Sequence, residues 1–161
     1  MKTINDFSKI TFIGIDGVGT DAKILKSLIH VHRSIPNSKY LFLTSGTYED
    51  VHGIEQIKIQ KLNYDDFSKF CLLEMKNYID TEYMINCHGD GFVVNPHLWN
   101  PDFMNYDYIG APWPSYNLEN SCRRWDLVKD AYEKSYKNYK IGNGGFSIRS
   151  KKLLEEVAHL S

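Results

Sequence analysis

Residues 86–92, NCHGDGF, place an imidazole and a carboxylate two positions apart at the end of an apolar run. Side chains alternate along a strand, so His88 and Asp90 point the same way if the strand persists through them. In that arrangement they could share a divalent metal, manganese or magnesium, with oxygen ligands completed by a nucleotide diphosphate. The competing reading is an Asp-Gly turn in which Asp90 only bonds backbone amides.

Two further segments carry residue types suited to ligand binding. In NYDYIGAPWP, residues 105–114, Tyr106, Tyr108 and Trp113 could form an apolar platform for a sugar ring, while Asp107 could accept from sugar hydroxyls. Asp107 is also the candidate base for deprotonating a hydroxyl acceptor. The plainer alternative makes the aromatics core and Asp107 a turn cap, with Trp113, between Pro112 and Pro114, the residue best suited to exposure. In GNGGFSIRS, residues 142–150, Gly142, Asn143, Gly144 and Gly145 could bring main-chain N–H groups against phosphate or sugar oxygens, with Phe146 and Ile148 anchoring the strand that follows. A tight turn would also explain the glycines. The spacing is not that of a Walker loop, and GIDGVG does not match G-x-G-x-x-G.

The elements that must position these groups follow from periodicity. KITFIGID reads as a β-branched first strand ending at Asp16, followed by a turn whose Thr20 and Asp21 can cap a helix. Ile24, Leu25, Leu28 and Ile29 recur at helical spacing, which predicts a helix to about His32, stopped by SIPNS. KYLFLTS and IEQIKIQ read as strands. From Tyr64 the residues Phe67, Phe70, Cys71, Met75 and Tyr78 predict one helical face. EYMINCHGDGFVVNP gives a strand, a polar break at 88–91 and a short apolar continuation. Residues 97–126 predict irregular structure and short strands, and Leu153, Leu154, Val157 and Leu160 a terminal helix. The alternation is that of an α/β domain with a mainly parallel sheet, whose ligands bind at the carboxyl ends of strands. Asp16–Thr20, Thr44–Thr47 and His88–Asp90 all fall at such ends.

Composition narrows the classes. A chain of 161 residues suits one domain, and a net charge of −1 gives no electrostatic case for nucleic acid or an anionic membrane. No window approaches the roughly 18–20 apolar residues of a membrane span, and the N-terminus lacks a signal-peptide core, so a cytoplasmic protein is expected. Cys71, Cys87 and Cys122 form no C-x-x-C pair and are expected as buried free thiols.

Taken in order, DGFVVNPHLW, YDYIGAPW and IGNGGFSIRSKKLLE resemble a family of glycosyltransferase-like proteins known as domain-of-unknown-function family 5672. The resemblance extends from TFIGIDG onward. It implies a single Rossmann-like, glycosyltransferase A-type domain, with residues 1–95 as the nucleotide-binding half and 96–161 as the acceptor-side half. Asp90, with His88, then stands where such enzymes place the aspartates of a D-x-D motif. Residues 142–145 line the donor-sugar side, Trp113 and Tyr108 the acceptor side, and Asp16 and Thr44 lie near the nucleotide base and ribose. The implied activity is transfer of a sugar from a nucleotide sugar to a glycan or other hydroxyl acceptor. The alternative is a non-catalytic module of the same fold that binds a nucleotide or glycan.

Two departures qualify the resemblance. A-type folds commonly carry further acidic or histidine residues downstream of the glycine-containing strand, and here the sequence reaches Ser161 soon after it. A C-terminally truncated domain or an incomplete site is the expectation. HGDG also offers one carboxylate, which predicts weak metal affinity or metal-independent chemistry.

Overall fold

The run ITFIGID forms strand β1 (Ile10–Asp16), buried at every residue because both of its faces are covered. The computed structural model describes residues 6–111 and 143–159. Around β1 the described chain builds β2 (Lys39–Thr44), β3 (Glu55–Lys58), β4 (Tyr83–Cys87), β5 (Tyr108–Ala111) and β6 (Asn143–Ser150), in the spatial order β3-β2-β1-β4-β6-β5. The strands β1 to β4 run parallel, and β6 is antiparallel to both β4 and β5. This is the α/β domain with a mainly parallel sheet that the alternation of elements predicts. Among the described residues, no helix is long and apolar enough to cross a membrane.

One face of the sheet packs under helix α1 (Ala22–Ser34), whose Ile24, Leu25, Leu28 and Val31 meet Ile10, Phe12, Phe42 and Ile85. Asp21 caps α1 by accepting from the Lys23 amide, and the helix runs two residues beyond the predicted end before Pro36 restricts the residue ahead of it. The fit is close at Gly14, where a Cβ would stand 2.6 Å from Ile24 Cγ2 and 2.7 Å from Leu28 Cδ1. Gly14→Ala is therefore expected to destabilise the domain by about 1–3 kcal/mol through overpacking, read as a lower urea midpoint at unchanged m-value.

The opposite face buries Ile13, Leu41, Leu43 and Met84 against Phe70, Met75, Ile79 and Leu154. Here the structure departs from the uniform helix that the spacing from Tyr64 predicts. Helix α2 (Tyr64–Lys69) passes into a π turn at Phe70–Glu74, closed by the Met75 amide on the Phe70 carbonyl, and then into a 3₁₀ turn at Met75–Tyr78. The apolar residues still face the sheet, but the widened turn changes where its carbonyls point. Helix α3 (Lys151–Ala158) closes this layer through Leu154.

Residues 92–95 do not continue β4. Beyond them, Pro96–Leu98 and Pro101–Asn105 are 3₁₀ turns, each started by an asparagine, Asn95 or Asn100, that accepts from a turn amide. Cys71 and Cys87 are buried free thiols, as expected, and Cys122 lies outside the described residues. Burial pushes the Cys71 thiol up to about 11 against the opposing charge of Arg149, and Cys87 up to about 12, so both stay protonated near neutrality.

Candidate functional site

β1 and β2 end side by side, with Asp16 in register with Thr44. Both side chains are buried, at 2% and 0% exposure. Asp16 Oδ1 accepts from the Gly19 amide at 2.8 Å, while Oδ2 accepts from Tyr48 OH at 2.7 Å, the Asp21 amide at 3.2 Å and Thr44 Oγ1 at 3.3 Å. Thr44 Oγ1 accepts in turn from the Gly46 amide. Burial, with the bond to Asp16, raises the Tyr48 hydroxyl to about 12 and keeps it a donor. The family resemblance implies that Asp16 and Thr44 lie near a nucleotide base and ribose. In the structure their side-chain oxygens bond the loops after β1 and β2, which they hold together. Those loops touch backbone to backbone, since a Cβ on Gly46 would meet the Gly19 carbonyl oxygen at 2.3 Å, and Gly19 adopts φ +81°.

Past β4 the chain makes a tight turn. The His88 amide donates to the Gly91 carbonyl at 2.7 Å, and the Gly91 amide returns a bond to His88 at 3.3 Å. Glycine is needed at both ends of this turn because neighbours press on it. A Cβ on Gly89 would meet Lys23 Cβ at 2.9 Å, and one on Gly91 would meet Phe146 Cβ at 2.7 Å. The two readings of NCHGDGF therefore coexist geometrically. The segment is a turn, and it also sets the His88 and Asp90 side chains together, Nδ1 to Oδ1 at 2.9 Å. The hydrogen bond and charge of His88 hold the Asp90 carboxyl below the usual carboxylate range. Asp90 remains widely open to solvent, with 91% of its side chain exposed.

The glycine segment lies beside this turn because β6 runs antiparallel to β4, bringing the start of β6 to the end of β4. In the β5–β6 ladder the register jumps from Gly110↔Ser147 to Ala111↔Asn143, so residues 144–146 are looped out of it. Gly144, Gly145 and Phe146 share with His88, Asp90 and Gly91 the wall of one cleft of about 820 Å³, whose remaining described lining comes from Asn86, Arg149, and Tyr64, Phe67, Ser68, Cys71 and Leu72 of the α2 region. Among the described residues, Asp90 is the single carboxylate in that lining.

The sequence reading passes over Arg149 and Asn86. The Arg149 guanidinium reaches Ser147 Oγ at 3.3 Å, the Cys71 carbonyl of the π turn at 3.3 Å and the Gly144 carbonyl at 3.4 Å, with its carbon 5.8 Å from the centre of the Tyr108 ring. A signal exists for both. Arg149 is a cation on a strand between Ile148 and the Ser150 cap, and Asn86 is polar within the apolar run of β4.

Two further candidates stand outside the described wall of this cleft. Asp107, the candidate base, is not in the cleft. Its carbonyl and carboxylate accept from the Ser150 amide and Oγ at 2.9 and 2.7 Å, and Ser150 stands opposite Tyr83, at the other end of β4. From Tyr83 to His88 is about 16 Å along a strand. Tyr108, expected on the acceptor side, backs the Arg149 guanidinium and is not part of the described cleft wall. Ser150 also caps α3 by accepting from the Leu153 amide at 3.0 Å. Ser150→Ala is expected to cost about 1 kcal/mol in urea unfolding while leaving ligand binding in the cleft unchanged. Trp113 and Gly142 lie outside the described residues, as does the side chain of Asn143.

A family model described as "Protein of unknown function (DUF5672)" matches residues 41–161, three quarters of the chain. The chain belongs to the DUF5672 family. No curated protein matches this DUF5672 chain. Among solved structures, its fold is similar to the galactosyltransferase LgtC, in a crystal structure with donor and acceptor sugar analogs, at a TM-score of 0.52 and 17% identity. The match covers 91% of the DUF5672 chain and 59% of the galactosyltransferase chain. At this identity the likeness is one of fold, and it makes the domain glycosyltransferase-like, of A type.

Proposed function

We propose that this DUF5672 protein transfers a sugar from a nucleotide-sugar donor to a hydroxyl acceptor. The observation that carries the reading is the shared cleft: the His88–Asp90 turn and the looped-out glycines of β6 open on one space at the carboxyl end of β4, in a glycosyltransferase-like fold. Residues 1–95 would hold the nucleotide, with Asp16 and Thr44 shaping the loops rather than touching it. Gly144 and Gly145 would admit the donor sugar to the main chain, and residues 96–161, with Trp113, would face a glycan or other acceptor.

The fit of a divalent metal can be judged from the donor set. His88 and Asp90 offer a nitrogen and a carboxylate oxygen already in contact, a mixed pair that suits manganese, and no third His, Cys, Asp or Glu joins them among the described residues. The pair fits as a two-point seat, completed by diphosphate oxygens and water. A bound metal would offset charge on the leaving diphosphate. His88 and Asp90 orient one another, and the wall formed by the α2 region shields one side of the cleft.

Among the described residues Asp90 is the one carboxylate in the lining, and that favours a second reading, a module that binds a nucleotide or glycan without turnover. Nucleotide-sugar hydrolysis and transfer, measured with and without Mn²⁺, together with calorimetric binding of nucleotides, separates the two. Turnover is the expected result. Binding without turnover selects the module, and neither binding nor turnover would remove the transferase reading altogether.

A further inference from the structure

The floor of the cleft carries an imbalance of hydrogen-bonding groups. Three donors converge on the Gly144 carbonyl, namely Asn86 Nδ2 at 3.1 Å, Ser147 Oγ at 3.1 Å and Arg149 Nη2 at 3.4 Å. A carbonyl oxygen has two lone pairs, so the three compete. At the same place, Asn86 Oδ1 is buried and has no hydrogen-bond partner among the described residues, although Asn86 as a whole is 95% buried by its 5% exposure. Turning the amide over would not help, because it would set Oδ1 against the Gly144 oxygen.

Arg149 adds a charge. Among the described residues its contacts are neutral oxygens and the Tyr108 ring, and none of the ion pairs there includes it. A guanidinium has five N–H donors, and these contacts use three. The contacts are long for charge-assisted bonds, which normally fall at about 2.7–2.9 Å, so exchanging one for an anion costs little and gains much.

Surplus donors around a cation, next to a stranded acceptor, match a ligand that accepts at one end and donates at the other. We infer that Asn86 and Arg149, both in the cleft wall, form a subsite for a phosphorylated sugar, in which Arg149 forks onto the phosphate and Asn86 Oδ1 accepts from a sugar hydroxyl. With Arg149 turned to the phosphate, the Gly144 carbonyl keeps two donors, Asn86 Nδ2 and Ser147 Oγ, one for each lone pair. The inference rests on the donor-sugar reading of the cleft and names the part of the donor bound at its floor. It also supplies a fixed positive charge at a site with one carboxylate among the described residues.

Calorimetry on the whole chain with glucose, galactose and N-acetylglucosamine 1-phosphates, the three free sugars and inorganic phosphate tests it directly. At least one sugar 1-phosphate is expected to bind more than about tenfold tighter than its free sugar or phosphate, the gain of joining two modest contacts. Arg149→Gln should remove that preference. Should that variant fail to fold, Asn86→Asp puts a carboxylate beside the phosphate and should weaken sugar 1-phosphate binding by more than tenfold while leaving free sugars within about twofold. Equal binding of sugar 1-phosphates and free phosphate, or a preference indifferent to both changes, would overturn the subsite. Nucleotide-sugar turnover alongside that result leaves the transferase reading standing. Sugar 1-phosphate binding that Arg149→Gln abolishes, without nucleotide binding or turnover, keeps the subsite and removes the transferase reading.

Discussion

Asp16→Ala is expected to lower the stability of the domain by about 3 kcal/mol, the cost of stranding several buried donors at once. Four groups depend on this carboxylate: the amides of Gly19 and Asp21 and the hydroxyls of Thr44 and Tyr48. The first two start α1, and the last two fix the loop after β2. Losing the carboxylate therefore loosens both loops where they touch at Gly19 and Gly46. Thermal unfolding should shift down by about 6–12 °C, and urea unfolding should show the loss at an unchanged m-value.

Asp16→Asn makes the test sharper. An amide keeps one acceptor oxygen but turns an N–H₂ toward groups that are themselves donors, so an intermediate loss of about 1–2 kcal/mol follows. If Asp16 instead served a ligand directly, the asparagine variant would keep its stability and lose binding. A loss below about 0.5 kcal/mol in the alanine variant would contradict the structural assignment.

What the sequence makes legible depends on how local the determinant is. The carboxyl ends of β1, β2 and β4 can be read because apolar runs stop at Asp16, Thr44 and Cys87, and a buried parallel strand tolerates few polar residues before its end. The cap at Asp21 is likewise local. The π turn is not, because Phe67, Phe70, Cys71 and Met75 lie on one face of either helix type. Its Cys71 carbonyl is met by Arg149, 78 residues away. The position of Asp107 is set by the same kind of long-range pairing: its neighbours in sequence suggest a sugar platform, and the antiparallel pairing of β6 sets it at the opposite end of β4 from the cleft. Arg149 and Asn86 acquire meaning only when β6 is laid against β4, which brings Ser147 opposite Asn86 and Gly144 within reach of both.

Asp90→Asn is expected to reduce nucleotide-sugar turnover by about 10²–10³-fold while changing stability by less than about 0.5 kcal/mol. The two effects separate because of where Asp90 sits. Its backbone belongs to a turn that asparagine also favours, and its exposed carboxylate bonds His88 alone among described side chains. Asparagine can keep a hydrogen bond to His88 but removes the negative charge that a metal or a positive transition-state group would meet. Dependence on Mn²⁺ should weaken in the variant, read as a rightward shift of the metal titration. The pH profile gives a second check. Because His88 holds Asp90 below the ordinary carboxylate range, its charge is present above the unfolded value of about 3.9 and is lost only as pH falls through the lower folded value. Between pH 5 and 8 Asp90 stays ionised, so an acid limb there belongs to another group, and the limb should survive in residual Asp90→Asn activity. Full turnover by the variant would remove Asp90 from the metal-seating and charge-stabilising role while leaving the transferase reading in place.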